Sequence, residues 1–426
     1  MTDSQAKDSS ADLSRDSGMA WLVCLSAGLF FLYEFFQLNL FDVINQPLRS
    51  EFQMDATALS WMSSAFLWGD ILFLLPAGML LDRYSTRWVI LFSLLVCIIG
   101  TFGFALTNSF AWATFFHLLS GIGNAFCFLA CVVLVTRWFP FRRQALVIGC
   151  LVTMAFLGGM IAHTPLAFLT DHYGWRNALL LDGGIGILIL VWIGLFVKDK
   201  PQEESTLKDP SKPIRPRLLT PLLNLQTWLA GLYTACLNLP IMVICALWGA
   251  SYLQVVHHVS TIAASNIVSL IFMGSILGCP LAGWLSDRGG RRKPLMIFGA
   301  VATFVTLIPL CMGMMLSESM LSFLFFSLGL FTSTQVISYP LIAESNSAKN
   351  TGSATGIASI IIMGGGGVGQ VLFGALMQHH AGAVTETYAV ADYQLAMWMF
   401  PMAAIVSGLA MLLIRETYCE RVIKGD

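Results

Sequence analysis

Two ten-residue stretches of this 426-residue chain share one pattern: "GMLLDRYSTR" at Gly78–Arg87 and "GWLSDRGGRR" at Gly283–Arg292. Each follows an apolar run, places an Asp-Arg pair in the middle and ends on a basic residue. The second begins 205 residues after the first (283 against 78), close to half the length of the chain. Because a parallel repeat of two halves is a known architecture of membrane transporters, the repeat predicts a chain of two similar halves.

The composition around these loops is that of a membrane protein. Hydrophobic residues make up 57% of the chain and charged residues only 11%, with a mean hydropathy of +0.75. Soluble domains carry about 25% charged residues. A soluble enzyme is therefore excluded, and a net charge of −1 gives no basic surface for nucleic acid. Nine of the ten cysteines lie inside apolar runs without metal-ligand spacing, so neither a metal nor another cofactor is expected.

Twelve apolar runs are long enough to cross a bilayer, which needs about 20 residues per helix. They predict an all-α membrane protein with 12 transmembrane helices in two pseudo-symmetric six-helix bundles. In chain order, spans 1 to 12 are predicted near 20–44, 57–81, 88–107, 110–136, 144–170, 177–197, 222–254, 261–285, 294–316, 318–343, 351–378 and 391–414.

A charged, proline-containing segment separates the two sets of six spans. The predicted organisation is an N-terminal tail (1–18), a first bundle (19–197), a linker (198–221), a second bundle (222–414) and a C-terminal tail (415–426).

Lysine and arginine indicate the orientation. If both termini lie inside, only Arg49 and Arg176 of the 23 basic residues fall on the outer side. The positive-inside rule then predicts cytoplasmic termini. A compact multi-pass chain of 12 spans without glycosylation sequons fits a cell (inner) membrane.

Several motifs together resemble one family. The repeated loop is accompanied by "WFPFRRQALVIG" before span 5, "GWRNALL" before span 6 and "GGGGVGQVLFGAL" in span 11. This combination resembles the major facilitator superfamily over nearly the whole chain. The resemblance implies a monomeric secondary transporter whose halves rock around a central site, and not an enzyme. "FLYEFF" in span 1 and "LWGASYL" in span 7 are similar to a branch that includes amino-acid carriers of intracellular bacteria and the lysosomal dipeptide transporter of animals.

The repeated loops are also interpreted through this resemblance, which implies that they latch the outward-facing state. Glycines at the loop starts permit close helix approach, and the aspartates can meet a helix N-terminus. In the first copy Ser85 and Thr86 replace a glycine and a basic residue, so the first latch is expected to be the weaker. The candidate latch residues are Gly78, Asp82, Arg83, Arg87, Gly283, Asp287, Arg288, Gly290, Arg291 and Arg292.

Three acids are predicted to lie deep in spans: Glu34, Asp70 and Asp182. Each costs roughly 2.5–3.5 kcal/mol at the membrane centre, and burial favours the neutral form. They are therefore candidates for proton coupling; the alternative is a neutral acid that is hydrogen-bonded to a neighbouring helix. At about 100° per residue, Glu34 and Gln37 share a stripe, while Asn39 lies about 140° from Glu34.

His117 in span 4 occupies a position where many members of the family have arginine. Imidazole titrates near physiological pH and guanidinium does not. Either His117 takes part in coupling, facing Glu34 or Asp70, or it is a buried histidine with satisfied hydrogen bonds. Polar residues at a depth that suits a substrate cavity are Tyr33, Gln37, Asn39, Asn238, Trp248, Gln335, Tyr339 and Gln370.

The absence of basic residues inside the spans bears on the cargo. A dianionic solute would lack a counter-charge there, so a neutral, zwitterionic or cationic solute is favoured. The expected function is proton-coupled import of a small polar organic solute, amino-acid-like or peptide-like, with the solute, protons and the lipid bilayer as partners. The alternatives are an exporter of drug-like or siderophore-like molecules and a non-transporting sensor on a carrier fold. The pairs His257–His258 and His379–His380 are not expected to bind metal because they lack carboxylate or thiol neighbours.

Overall fold

The computed structural model describes residues 18–199, 222–347, 351–382 and 388–420. The predicted N-terminal tail, most of the linker and the side chain of Asp82 lie outside this description, as do the side chains of residues 141, 142, 145 and 352. Twelve of the helical segments in the described ranges are long and apolar enough to cross a membrane, which confirms the predicted fold class.

Seven spans form continuous helices. They are span 1 (Gly18–Phe52), span 2 (Ala56–Arg83), span 3 (Thr86–Leu106), span 6 (Trp175–Phe196), span 8 (Thr261–Gly289), span 9 (Lys293–Cys311) and span 11 (Thr351–Ala381).

Five spans are interrupted. They are span 4 (Phe110–Asn124, Cys127–Trp138), span 5 (Phe141–Ile161, Thr164–Tyr173), span 7 (Leu225–Leu239, a π-helix at Pro240–Trp248, Gly249–His257), span 10 (Glu318–Thr332, a 3₁₀ turn at Ser333–Ile337, Ser338–Glu344) and span 12 (Val390–Met397, Met399–Leu413). We call the face that holds the loops after spans 2 and 8 the inner face, and the opposite face the outer face.

Span 1 extends two turns beyond its predicted end near residue 44. Asp42 lies near the predicted end of the span, Asn45 and Arg49 lie beyond it, and all three are buried. The segment stays helical because it packs against other spans of the protein rather than against lipid. The expectation that three acids lie deep in spans was therefore incomplete, since Asp42 is a fourth buried acid.

The two halves share one apolar core at the outer face and have separate cores at the inner face. The outer core combines residues of spans 1, 2 and 5 with residues of spans 7, 8 and 12. Among the described residues, the inner core of the first half contains only residues of that half, and the same holds for the second half. The halves meet mainly where span 2 packs on span 11, span 1 on span 7 and span 5 on span 8.

A run of four glycines in span 11, Gly364–Gly367, lies against spans 2 and 7. A Cβ built on Gly366 would lie 3.0 Å from Met242, and one on Gly367 would lie 3.3 Å from Trp68. The helix continues through the run from Thr351 to Ala381. Because glycine has no Cβ, the side chains of Met242 and Trp68 pack directly on the backbone of span 11.

Candidate functional site

A buried polar cluster joins spans 1, 3 and 6 in the first half. The Gln37 side-chain amide donates to Asp182 at 2.5 Å, and the Tyr33 hydroxyl lies 3.3 Å from Thr101 Oγ1. Tyr33 also contacts Asp182. The structure thus brings together three of the predicted site residues, Tyr33, Gln37 and Asp182.

The acids Glu34 and Asp70 lie near each other between spans 1, 2 and 4. Glu34 contacts Asn124 and Cys127 of span 4, and it interacts electrostatically with Asp70 of span 2. Oε2 of Glu34 is buried without a hydrogen-bond partner. Gly69 permits this arrangement, since a Cβ there would lie 2.4 Å from the carbonyl oxygen of Leu118 in span 4.

The predicted stripe of Glu34 and Gln37 is buried, as expected, but it faces helices of its own half. Glu34 faces span 4 and Gln37 faces span 6. Asn39 turns away from both and donates to the carbonyl oxygen of Phe35 in its own helix at 2.7 Å. The residues of span 1 that face the second half are Leu38, Asp42 and Asn45.

His117 lies among aromatic rings rather than beside the two acids. Its ring centroid is 4.4 Å from that of Phe41, 5.3 Å from Phe66 and 5.7 Å from Phe104. A cavity of about 10 Å³, which is the space one water molecule requires, separates His117 from Gln37. Within the described part of the chain, no hydrogen bond or ion pair joins His117 to Glu34 or Asp70.

In the second half, two of the predicted cavity residues form a pair. Gln335 in the 3₁₀ turn of span 10 donates to Asn238 of span 7 at 3.1 Å. Tyr339, one turn further along span 10, is 37% exposed. The irregular turn therefore directs one polar side chain at span 7 and leaves the tyrosine accessible.

The remaining two predicted cavity residues support the irregular middle of span 7. Gln370 of span 11 donates to the carbonyl oxygen of Met242 at 2.8 Å, inside the π-helix. Trp248 is fully buried and stacks on Phe373 at a centroid distance of 5.7 Å. A π-helix leaves backbone groups without their usual α-helical partners, and Gln370 satisfies one of them.

Span 1 supplies two further partners for the break in span 7, which the sequence did not indicate. Asn45 donates to the carbonyl oxygen of Leu247 at 2.7 Å, just before the break. Just after it, the backbone N–H of Ala250 donates to both carboxylate oxygens of Asp42, at 2.9 and 3.1 Å. Asp42 thus lies at the N-terminus of the helix Gly249–His257, where the helix dipole favours an anion.

His163 completes this outer junction from span 5. It lies at the interruption of that span, and its Nδ1 is 3.4 Å from Oδ2 of Asp42. Both side chains are fully buried. We define the outer junction as Asp42, Asn45 and His163 with the backbone of 247–250.

The second inner loop is held by a network of charges within its own half. Arg292 donates to Glu344 at the end of span 10, at 2.7 and 3.3 Å, and to Asp287 at 2.6 Å. Burial alone lowers the pKa of Arg292, but its hydrogen bonds to the carboxylates of Glu344 and Asp287 outweigh burial, and the pKa is raised. Glu416 accepts the backbone N–H groups of Arg292 and Lys293.

The first inner loop has a looser set of contacts. Arg87 donates to the carbonyl oxygen of Gly194 at 2.5 Å, and its backbone N–H donates to Asp199 at 3.3 Å. Ser85 also donates to Asp199, and Arg137 of span 4 lies 3.7 Å from the same carboxylate. Among the remaining predicted latch residues, Arg83, Arg288 and Arg291 lie at the inner face, and the guanidinium groups of Arg288 and Arg291 lie over Trp284 and Tyr418.

The two loop glycines make no close helix contact in this conformation, so the packing expected of them in the outward-facing state stays a prediction. A Cβ on Gly283 would meet no atom within 4 Å, and one on Gly78 would meet only Leu129, at an ordinary 3.7 Å. The reason is that the inner ends of the two halves have separate cores here.

The histidine pairs also require a correction. His380 was expected to lack a carboxylate neighbour, yet its Nδ1 lies 2.5 Å from Asp392 at the start of span 12. Nε2 of His257 lies 3.1 Å from the Tyr252 hydroxyl. No group of three or more potential metal ligands occurs in the described ranges.

Comparisons with known proteins identify the family of this chain. The family model described as Major Facilitator Superfamily matches residues 23–288 and 241–422. The membrane sensor protein UhpC of Escherichia coli is 25% identical over 311 residues, which are 67% of this chain and 69% of UhpC. The probable nitrate/nitrite antiporter NarK1 of Thermus thermophilus is 27% identical over 288 residues, 63% of this chain and 62% of NarK1.

A solved structure confirms the fold at lower sequence identity. The inward-facing, occupied crystal structure of a bacterial homologue of the human lysosomal transporter Spinster superposes with a TM-score of 0.75. It covers 92% of this chain and 96% of that one, at 17% identity.

By its fold, the protein is an integral, multi-pass membrane protein of 12 spans in two related halves. Because the family model matches most of the chain, the chain belongs to the Major Facilitator Superfamily, whose members are transporters of small solutes rather than enzymes.

Proposed function

We propose that the chain is a secondary active carrier that imports a small polar organic solute by alternating access, coupled to protons. The observation that carries this proposal is the asymmetry of its cores: the halves share a core at the outer face and have separate cores at the inner face. This is the geometry of a carrier that is closed at the outer face. If the halves parted at the outer face and met at the inner face instead, a solute bound between them would cross the membrane.

The charges of the spans favour a neutral, zwitterionic or cationic cargo, with amino-acid-like or peptide-like solutes first. Glu34, Asp70 and Asp182 are buried in the first half. In the described spans, arginine and lysine lie only in first or last turns. Buried acids without a fixed cation suit an amine or a proton as partner. Orientation in an inner membrane with cytoplasmic termini, and a monomeric state, belong to the same proposal.

A thermal-shift screen of the purified protein tests the cargo class. The panel contains amino acids, dipeptides, nucleosides, sugars, sugar acids, nitrate and bulky apolar drugs, each at pH 5.5 and 7.5. A ligand at 100 times its dissociation constant stabilises by about 2.7 kcal/mol. We expect one class of amines or zwitterions to shift the melting temperature, and that class is then tested for proton-driven uptake into proteoliposomes.

Two variants test whether Glu34 is needed for proton coupling. Glu34→Gln removes the carboxylate from the site, and Glu318→Gln makes the same change at an exposed position at the start of span 10. We expect proton-driven accumulation to fall at least tenfold in Glu34→Gln and to stay unchanged in Glu318→Gln. Shifts from nitrate or sugar acids alone would contradict the proposed cargo class, and shifts from bulky apolar compounds alone would favour an exporter.

A second candidate function, a non-transporting sensor, is supported by the similarity to a membrane sensor protein. A sensor would bind its ligand without moving it. A counterflow assay separates the two functions. Proteoliposomes that contain a carrier and are loaded with unlabelled ligand take up labelled ligand by exchange. A sensor that binds the same ligand in the thermal-shift screen gives no exchange.

A further inference from the structure

Tyr388 joins the two halves at the outer face through both its ring and its hydroxyl. It precedes span 12 in the second half and is only 4% exposed. Its hydroxyl accepts the backbone N–H of Ala56, the first residue of span 2, at 2.8 Å. The guanidinium of Arg49 in span 1 lies over its ring, 4.5 Å from the centroid. One side chain of the second half thus contacts two spans of the first half.

The N–H of Ala56 belongs to a helix end that cannot satisfy it. The first four N–H groups of an α-helix have no partner within the helix. The side chain of Asp55 accepts the N–H of Ala58 at 2.7 Å, whereas the N–H of Ala56 donates to Tyr388. Ala56 has no exposed surface, so water does not replace the hydroxyl while the outer face is closed. Span 2 therefore takes part of its N-terminal cap from the other half.

Span 11 orients the Tyr388 hydroxyl and encloses the bond that it forms. The hydroxyl donates its own hydrogen to Oε1 of Gln378, which leaves its oxygen to accept from Ala56. The start of span 2 also packs directly on span 11, since a Cβ on Gly374 would lie 2.4 Å from the carbonyl oxygen of Ala56. The hydroxyl is consequently held in place by its own half.

These contacts require a closed outer face. Arg49 and Ala56 belong to the first half, whereas Tyr388 and Gln378 belong to the second half. When the halves part, the N–H of Ala56 loses the hydroxyl and gains water, which satisfies it. If the hydroxyl alone were removed, the N–H would stay buried without an acceptor in the closed state. A buried donor without a partner is costly, and this cost would fall on the closed state only.

We propose that Tyr388 sets how often the empty protein opens at its outer face, because it supplies the missing cap of span 2 from the other half. A carrier has to open this face in every cycle. The strength of this contact therefore tunes the balance between the outer-closed and outer-open states. The role of Tyr388 in a transport cycle rests on the proposed carrier function, but its test needs no cargo.

Hydrogen–deuterium exchange of the purified protein in lipid nanodiscs measures this opening at two separate places. One peptide, residues 52–62, covers the start of span 2. The other, residues 245–257, contains Ala250, whose N–H donates to Asp42 of the first half and is released when the halves part. Tyr388→Phe removes the hydroxyl and keeps the ring beneath Arg49. We expect exchange at both places to become about 5- to 150-fold faster, which corresponds to one buried N–H without an acceptor.

Tyr233→Phe is the matched control. It also removes a buried hydroxyl that meets a backbone group, the carbonyl oxygen of Met296 at 3.0 Å, but both residues lie in the second half. This variant should leave exchange at both places unchanged. Faster exchange in 52–62 alone would overturn the proposal, as would unchanged exchange at both places or an equal rise in Tyr233→Phe. If the thermal-shift screen and the flux assays fail while the expected exchange is observed, the carrier function is wrong and the role of Tyr388 at the outer face stands.

Discussion

Arg87 and Arg292 occupy the same position in the two repeated inner loops, and they meet different partners. Arg292 is enclosed by Glu344 and Asp287 and is almost completely buried. Arg87 reaches a backbone carbonyl oxygen, and its backbone N–H donates to Asp199. The difference originates at the end of the fourth span of each half, which carries Glu344 in the second half and Arg137 in the first.

The loops also turn differently. In the second copy, Gly290 ends span 8 in the left-handed region, with φ +61°, and its N–H caps the helix by donating to the backbone carbonyl oxygen of Asp287. The corresponding residue in the first copy is Ser85, which has φ −57° and caps the start of span 3 by accepting from Trp88. One repeated pattern thus forms two different turns, with a left-handed glycine at 290 in the second copy and a serine at the aligned position 85 in the first.

The largest expected effect comes from breaking the second network. Glu344→Gln leaves Arg292 buried with one charged partner in place of two, which should cost about 3 kcal/mol. The matched change in the first half, Arg137→Gln, removes an ion pair whose side chains are 25% and 29% exposed, and should cost about 0–1 kcal/mol. Thermal unfolding of the two variants in one detergent measures the difference; equal losses would mean that the two loops are held alike.

An intermediate effect is expected at the turn. Gly290→Ala forces a side chain into the left-handed region and should cost about 1–2 kcal/mol. Its neighbour Gly289 lies in the last turn of the helix, and a Cβ there would meet no atom within 4 Å, so Gly289→Ala should be neutral or stabilising. The same loss in both variants would show that the turn geometry is not what distinguishes the second copy.

The smallest effect concerns pH. Burial alone raises the pKa of Glu416, but the backbone N–H groups of Arg292 and Lys293 outweigh it, and the pKa is lowered from 4.5. A lowered carboxyl pKa gives stability that is fully present above about pH 4.5 and is lost as the pH falls through the lower, folded-state value. Unfolding of wild type and Glu416→Gln should therefore differ most near neutrality and converge in acid. If the difference in stability between the two proteins grew as the pH fell, the lowered pKa of Glu416 would be wrong.

The sequence predicted the twelve spans but not the outer junction, because hydropathy is a local property and the junction depends on contacts between distant parts of the chain. Hydropathy finds segments that contact lipid, and the repeat near Gly78 and Gly283 sets the division into halves. The polar end of span 1 looks like a loop, because its burial depends on partners some 200 residues away. His163 carries no signal of its own, since its role depends on an interruption of span 5 that brings it to Asp42.

For the candidate site residues, the helical pattern predicted which side chains are buried but not which neighbouring span each one faces. Glu34 and Gln37 share a stripe, as the helical period indicates, yet the stripe faces spans 4 and 6 of its own half. Which neighbour a helix face meets is a tertiary property. Whether these residues bind solute or protons stays a prediction.

The glycine run of span 11 has a mechanical consequence. Over one full turn, Gly364–Gly367 offers the neighbouring spans a surface without side chains, at the height where Met242 and Trp68 pack on it. Side chains of one helix that pack as knobs between the side chains of another must leave these positions before the helices can slide. Their van der Waals contacts are then lost. A smooth turn has no such knobs, so span 2 of the first half meets a lower barrier when it shifts across span 11 of the second half. A single added methyl at Gly367, which would lie 3.3 Å from the ring of Trp68, would place a knob on this surface.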